Sequence, residues 1–441
     1  MKKSPWAWVP SLYFAEGLPN VIVAELSVLM YQQLGLSNAE IALYTSLFYL
    51  PWVIKPFWSP FVDILKTKRW WILAMELLLG AAFGGIAFSI PTSFWLQATI
   101  CLFWLLAFSS ATHDIAADGF YMLGLNEHDQ AWFVGIRNTF YRIASIFSKG
   151  LLIWLAGFLQ VAFRGQIKYS WSIVFYAVAG IFIGLYLWHN YVMPRPKADV
   201  ANRVLTHKKD GKATKQSAGE IWREIVETVV TFFRKPYALT AVLFMLLYRF
   251  PEALLSKISI LFLRDFPHAG GLGLSPQEFS FVYGTIGVIG LLGGGILGGI
   301  LASRDGLKKW LWPMVLAITV PDLVYVYLSY ALPESLWLIN ACVFIEQFGY
   351  GFGFTAYTLY LIYYSQGNFK TSHYAICTGL MAASMMLPGM LSGWLESKLG
   401  YRYFFLLVIG ACFVTFIVTA LIKFDPEFGK KKVEEEQIEE D

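Results

Sequence analysis

Apolar runs of about 18 to 30 residues recur along this chain, separated by short polar turns, and each is long enough to cross a bilayer as a helix. The 441-residue sequence reads as twelve such spans: 6–33, 38–58, 70–90, 94–122, 131–160, 171–193, 236–264, 277–302, 310–331, 336–365, 371–396 and 403–423. Most joints are brief, such as Gly35-Leu36-Ser37, Pro91-Thr92-Ser93 and Leu332-Pro333-Glu334. One connection, 194–235, is long and divides six spans from six. The expected fold class is an all-α polytopic membrane protein with two six-helix bundles. Its expected divisions are a first bundle at 1–193, a linker at 194–235, a second bundle at 236–423 and a charged tail at 424–441.

Composition agrees with this pattern. Hydrophobic residues make up 57% of the chain and charged residues 15%. A mean hydropathy of +0.54 sets it apart from a soluble domain. Seventeen Trp and 24 Tyr suit aromatic belts at both membrane interfaces. The four cysteines, Cys101, Cys342, Cys377 and Cys412, lie within apolar runs without metal or disulfide spacing, so no metal or cofactor is expected. Met1-Lys2-Lys3 precedes a span running past Pro19, too long for the apolar core of a leader, so no cleaved leader is expected. The absence of an Asn-x-Ser/Thr sequon fits a bacterial membrane protein.

Charge sets the expected orientation. With the N-terminus inside, the tails and even-to-odd loops carry about 23 Lys/Arg against about five on the other side. Both termini and the basic linker are therefore expected in the cytoplasm. Within the linker, Ile221, Trp222, Ile225, Val229 and Phe232 fall at helical spacing. This helix either lies on the inner membrane surface or docks on the bundles. The tail, with Lys430-Lys431-Lys432 and Glu434-Glu435-Glu436, reads as solvated.

Ionisable residues inside the spans carry the candidate chemistry, because charge at membrane depth marks a pathway or a paired site. Span 4 ends in Ser109-Ser110-Ala111-Thr112-His113-Asp114-Ile115-Ala116-Ala117-Asp118. Asp114 and Asp118 are four apart and share a helix face. Spans 4 and 5 form a hairpin turning near 126–129, so residues equidistant from the turn lie at equal depth. This arithmetic places Asp118 level with Arg137 and Asp114 level with Arg142. The first pair is either structural or functional, while the second, nearer mid-depth, is the favoured proton-coupling site. His113 is either a proton relay or an interior histidine with satisfied hydrogen bonds. Span 1 is interrupted by Glu16 and Pro19, and span 7 by Arg249, Pro251 and Glu252. Interruptions at matching places in two halves point to a binding site. Arg249 offers a planar fork for a carboxylate or phosphate, or else pairs with Glu252. Glu25 and Glu76 read as interfacial.

The layout of six plus six spans resembles the major facilitator superfamily. Gly299 to Lys309 resembles its loop signature, keeping Gly299, Arg304, Gly306, Lys308 and Lys309, with Ser303 at the acidic position. The copy at 59–69 keeps Asp63, Lys68 and Arg69. Four stretches resemble one branch, the AmpG-type muropeptide permeases and the related acetyl-coenzyme A transporters. They are Phe14-Ala15-x-Gly17-Leu18-Pro19, Lys55-x-x-Trp58-Ser59-Pro60-x-x-Asp63, Asp114-Ile115-x-x-Asp118, and Gly135 followed by Tyr141-Arg142. The resemblance implies that spans 1, 4, 7 and 10 line a central cavity. Glu16, Arg249, Glu252 and Glu346 would then face cargo, and Asn20, Arg142 and Gln347 are further candidates for the substrate cavity. Asp114 and Asp118 of the shared motif would serve proton coupling, and Glu16 and His113, where this sequence departs from the family's pattern, are further proton-coupling candidates. Lys55 and Asp63 would brace the inner gate, with Arg137, Arg304 and Lys308 structural.

The function expected is a proton-coupled symporter importing muropeptide or anhydro-amino-sugar fragments across the bacterial inner membrane. Its partners would be a small-molecule substrate, protons and the lipid bilayer, with no nucleic acid, and the chain would act as a monomer. The alternatives are the same fold carrying acetyl-coenzyme A, a peptide, a siderophore or a drug, or a non-transporting sensor. An enzyme is not expected. The six histidines are scattered, with no HExxH, and no Walker-type loop supports ATP-driven transport.

Overall fold

The structure is a computed structural model describing residues 4–125, 127–196, 199, 208–209, 212–213, 218–366, 370–425 and 428. Its described helices give the twelve spans. Span 1 covers Pro5–Gln33. Span 2 joins Asn38–Leu47 to Leu50–Leu65. Spans 3 and 4 are Lys68–Ser89 and Trp95–Gly124. Span 5 continues Glu127–Ile146 through Phe147–Leu152 into Ile153–Ala162, and span 6 is Ile167–Val192. In the second half, span 7 is Ala238–Leu247 followed by Phe250–Arg264, and span 8 is Pro276–Ala302. Spans 9 and 10 are Leu307–Ala331 and Leu336–Ser365. Spans 11 and 12 share the helical run Lys370–Leu421, divided at Gly400, whose φ of 68° favours glycine.

Among the described residues, nine stretches are long and apolar enough to cross a membrane on length and composition alone. The last of them holds both spans 11 and 12. Spans 2 and 10 lie outside that set and carry Lys55 and Glu346. The outer faces expose large apolar side chains, Trp337, Val161, Phe88 and Phe413 among them, as a lipid-facing surface does. Inside the first bundle, Phe103 packs against Phe48 and Phe175, and Phe83 stacks on Phe175. In the second, Phe244, Tyr248, Tyr357 and Tyr360 form the aromatic core. Spans 8 and 10 touch backbone to backbone. A Cβ on Gly294 would stand 2.0 Å from the Phe348 carbonyl oxygen, and one on Gly351 would stand 2.1 Å from that of Leu291.

The two halves close their corresponding turns alike. Asp199, just beyond span 6, accepts hydrogen bonds from the backbone N–H groups of Lys68 and Arg69 at 2.7 and 3.0 Å, capping span 3. Phe428, equally far beyond span 12, accepts from the Leu307 N–H at 3.2 Å at the start of span 9. In the second-half loop, Asp305 takes the acidic role that the sequence lacks at Ser303. It accepts from Arg304, Lys309 and Trp310, and these bonds hold its carboxyl well below the usual carboxylate range. The linker helix Ala218–Phe233 docks on the second bundle. Phe232 is buried there, with its ring 5.3 Å from Tyr364 and 5.6 Å from His373.

Spans 1, 5 and 8 each widen into a π-turn, at Ile22–Leu26, Phe147–Leu152 and Ser280–Gly287. A π-turn displaces backbone carbonyls from their ordinary helical donors. Two of these oxygens join the halves: Gly150 O accepts from Ser280 Oγ at 2.7 Å, and Ala24 O accepts from Lys257 Nζ.

Candidate functional site

Between the halves lies a cavity of about 730 Å³, lined by spans 1, 2, 4 and 5 on one side and 7, 8, 10 and 11 on the other. Its volume falls within the range of about 300–1,000 Å³ typical of small-molecule sites. Among the described residues, the hydrogen bonds joining the halves lie toward the end remote from the termini. Gln32 Nε2 donates to Asp265 at 2.6 Å, Asn38 Nδ2 to Glu396 at 2.9 Å, and Ser280 to Gly150. Glu16, Asn20, Arg142, Arg249, Glu252 and Gln347 all line this space, as do Lys55 and Asp114, whereas Glu346, expected with them, is buried inside the second half against Tyr325 and Gln347. Lys149, Lys257 and Glu25 line it too, and sequence reasoning did not place Lys149 there. A lysine midway along an apolar span was the available signal.

The first half positions its acids on spans 1 and 4. Asp114 and Asp118 stand one turn apart, with Glu16 of span 1 beside both. Arg137 Nη2 reaches Asp118 Oδ1 at 2.9 Å, the partner the hairpin depth indicates. Tyr13 Oη donates to Asp118 at 3.2 Å, and the Arg137 guanidinium lies 4.4 Å from the Tyr13 ring centroid. The expected Asp114–Arg142 contact is not made. Asp114 pairs with Lys55 of span 2, which crosses into the cavity rather than bracing the inner gate. Helix geometry explains the error. Arg137 and Arg142 are five residues apart, about 140° around the helix, so they cannot both face Asp114 and Asp118. Arg142 instead points toward span 8, its Nη2 3.8 Å from where a Cβ on Gly295 would sit. The side chain of Asp63 lies outside the described residues.

His113 turns away from the cavity into the first bundle and is fully buried. Its Nε2 lies 3.5 Å from Glu76 Oε1, which also contacts His189 Nδ1 at 2.5 Å. His189 Nε2 meets Ser11 Oγ at 2.8 Å. This network ties spans 1, 3, 4 and 6 together. Glu76, expected at the interface, is completely buried, and Glu25 is no surface residue either. Glu25 pairs with Lys149 Nζ at 2.7 Å, and that ammonium sits 5.2 Å from the Tyr283 ring centroid. Both acids stand where helix packing supplies a partner from a distant span.

In the second half, span 7 breaks at Tyr248-Arg249, and Arg249 caps the helix that begins at Phe250. Pro251 suits that first turn because it lacks the N–H that a helix interior would use. Arg249 does not pair with Glu252. Its guanidinium donates to Tyr350 Oη and stacks among aromatic rings, 4.8 Å from the centroid of Phe354 and 5.9 Å from that of Tyr357. Among the described residues neither Arg249 nor Arg142 has a carboxylate partner. Glu252, Glu346 and Asp322 bring one carboxylate oxygen each within 4.8 Å of one another. Asp322, on span 9, was missed in the sequence although it lies well inside an apolar run. Arg304 and Lys308 lie on the far loop, away from this cavity.

The family model described as Major Facilitator Superfamily matches residues 12–367 and 253–439. The chain is 24% identical over 408 residues to the anhydromuropeptide permease of Escherichia coli K12, covering 91% of this chain and 76% of the permease. It is also 24% identical over 416 residues to an uncharacterized protein of Haemophilus influenzae, covering 89% and 88%. Among solved structures, a mutant form of the nucleoside transporter NupG superposes with a TM-score of 0.70 at 15% identity, covering 94% of this chain and 99% of that one. A bacterial homolog of the human lysosomal transporter Spinster, inward-facing and unoccupied, superposes with a TM-score of 0.68 at 13% identity, covering 93% and 94%. At these identities the structures speak for the fold.

Proposed function

This chain belongs to the major facilitator superfamily and is a multi-pass transporter of small molecules, and from that premise we propose that it is a proton-coupled symporter. Its cargo on this reading is an amino-sugar-bearing cell-wall fragment of the muropeptide class, carried inward across the bacterial inner membrane for recycling. Both termini face the cytoplasm, so the contacts remote from them close the periplasmic side. Residues 1–193 and 236–423 are the two moving bundles, joined by 194–235 and followed by the charged tail 424–441. The chain works as a monomer.

The observation that carries this reading is the Lys55–Asp114 ion pair on the cavity wall, facing Arg249 in its aromatic setting across the halves. Asp114 is the coupling carboxylate, with Glu16 and Asp118 as its neighbours. A substrate carboxylate binding Arg249 or Arg142 adds negative charge to the same space and favours proton uptake by the acids. Aromatic rings beside the guanidinium suit the apolar face of a sugar. The name of the Escherichia coli relative supports the cargo class.

A second reading has its own support. Arg142, Arg249 and Lys257 line the cavity without carboxylate partners among the described residues, which also suits the phosphates of acetyl-coenzyme A. Uptake into proteoliposomes under an imposed proton gradient separates the readings, with anhydro-muropeptide, acetyl-coenzyme A and a siderophore tested side by side. Asp114→Asn should retain exchange of the cargo and lose accumulation, because exchange moves no net proton. Accumulation by Asp114→Asn driven by pH would move the coupling role to another acid.

A further inference from the structure

Glu252, Asp322 and Glu346 come from spans 7, 9 and 10 and meet within the second half, one carboxylate oxygen of each lying within 4.8 Å of the others. Exposures of 6%, 2% and 2% leave them almost no water. Three negative charges at that spacing in a low-dielectric interior repel one another and lose hydration, so they cannot all stay ionised without a compensating positive charge.

The surrounding groups do not supply that charge by direct contact. Tyr325 Oη donates to Glu346 Oε2 at 3.4 Å, and Gln347 Nε2 lies 3.2 and 3.0 Å from the two Glu346 oxygens. Cys412 Sγ lies 3.8 Å from Asp322 Oδ2. All three are neutral donors. The charges that reach the trio from farther away are the cations Arg249 and Lys149 and the acid Glu25. Arg249 is engaged by Tyr350, and Lys149 by Glu25. No ion pair to the trio is found among the described residues.

Glu252 adds a separate observation. Its Oε2 is a buried oxygen with no hydrogen-bond partner, on a side chain aimed at the Asp322–Glu346 pair. The same residue lines the main cavity, which gives the trio a wet edge.

We propose that Glu252, Asp322 and Glu346 form a second proton-binding site, in the opposite half from Asp114, which takes up at least one proton from cavity water through Glu252. The transferred proton forms an O–H bond on one carboxyl and leaves hydroxide or buffer base behind in the cavity. Protonation removes one of the three charges from the cluster. The site is independent of which cargo is carried and of the coupling role given to Asp114.

Infrared difference spectroscopy on the full-length protein in lipid nanodiscs at neutral pH tests this without transport. The wild type should show a protonated-carboxyl C=O band that shifts in D2O. Asp322→Asn and Glu346→Gln should each remove or shift a component of it, whereas Asp114→Asn should leave that component in place. Asp322→Glu, which keeps a carboxyl, should retain a band and guards against loss through misfolding. Absence of any D2O-sensitive carboxyl band in the wild type overturns the proposal. So does displacement of the Asp322-dependent component by sodium, magnesium or calcium chloride, which would make the site one for a metal cation.

Discussion

Lys55 of span 2 donates to Asp114 of span 4 on the wall of the cavity, with 21% and 16% of the two side chains exposed. The pair is shielded enough that each partner depends on the other. Removing one member leaves a partly shielded charge without compensation, which destabilises by more than the ~0–1 kcal/mol of an exposed pair.

Lys55→Met should therefore lower the thermal stability of the detergent-purified protein clearly. Lys55→Met combined with Asp114→Asn should recover much of the loss, with a coupling energy of about 0.5–3 kcal/mol from the double-mutant cycle. Additive effects of the two substitutions would show that the pair makes no energetic contact.

The Asp118–Arg137 pair is wetter, with 41% of the Asp118 side chain exposed. Water screens such a pair, so Asp118→Asn should cost only about 0–1 kcal/mol. Its effect should appear in thermal stability, with proton-driven accumulation of cargo retained. Wild-type stability together with abolished accumulation would make Asp118 a coupling residue instead.

Arg249 combines charge with a planar surface against Tyr350, Phe354 and Tyr357. Arg249→Lys keeps the charge and loses the fork and the stacking. For an anionic cargo, KM should rise about tenfold, equivalent to about 1.4 kcal/mol, while folding is retained. An unchanged KM in Arg249→Lys proteoliposomes would remove Arg249 from cargo recognition.

Span 11 lies against span 2 at Gly393, where an added Cβ would stand 2.2 Å from the Asn38 carbonyl oxygen. Gly393→Leu should wedge the halves apart at the end remote from the termini. A Ser256→Cys reporter in the cavity should then react about tenfold faster with an impermeant maleimide applied from that side, a shift of about 1.4 kcal/mol in the opening equilibrium. Equal labelling rates with and without the wedge would show that this contact does not hold the closure.

Local periodicity was enough to determine the twelve spans and the break at Arg249, because apolar run length and proline chemistry act within a few residues of themselves. Pro19, however, does not interrupt span 1, whose helix runs through it and widens only afterwards, at Ile22–Leu26. Counting from the hairpin turn was also enough to match Asp118 with Arg137, since antiparallel helices of equal rise keep equal depth. It failed for Asp114 because depth is only one of two coordinates. The angle around each helix, and the neighbour it meets, come from how twelve helices pack. Packing alone brought Lys55 to Asp114, Lys149 to Glu25, and Glu76 to both His113 and His189. Packing likewise gathered Glu252, Asp322 and Glu346 from three spans. No spacing along the chain encodes that meeting, because its members share neither a helix nor a turn.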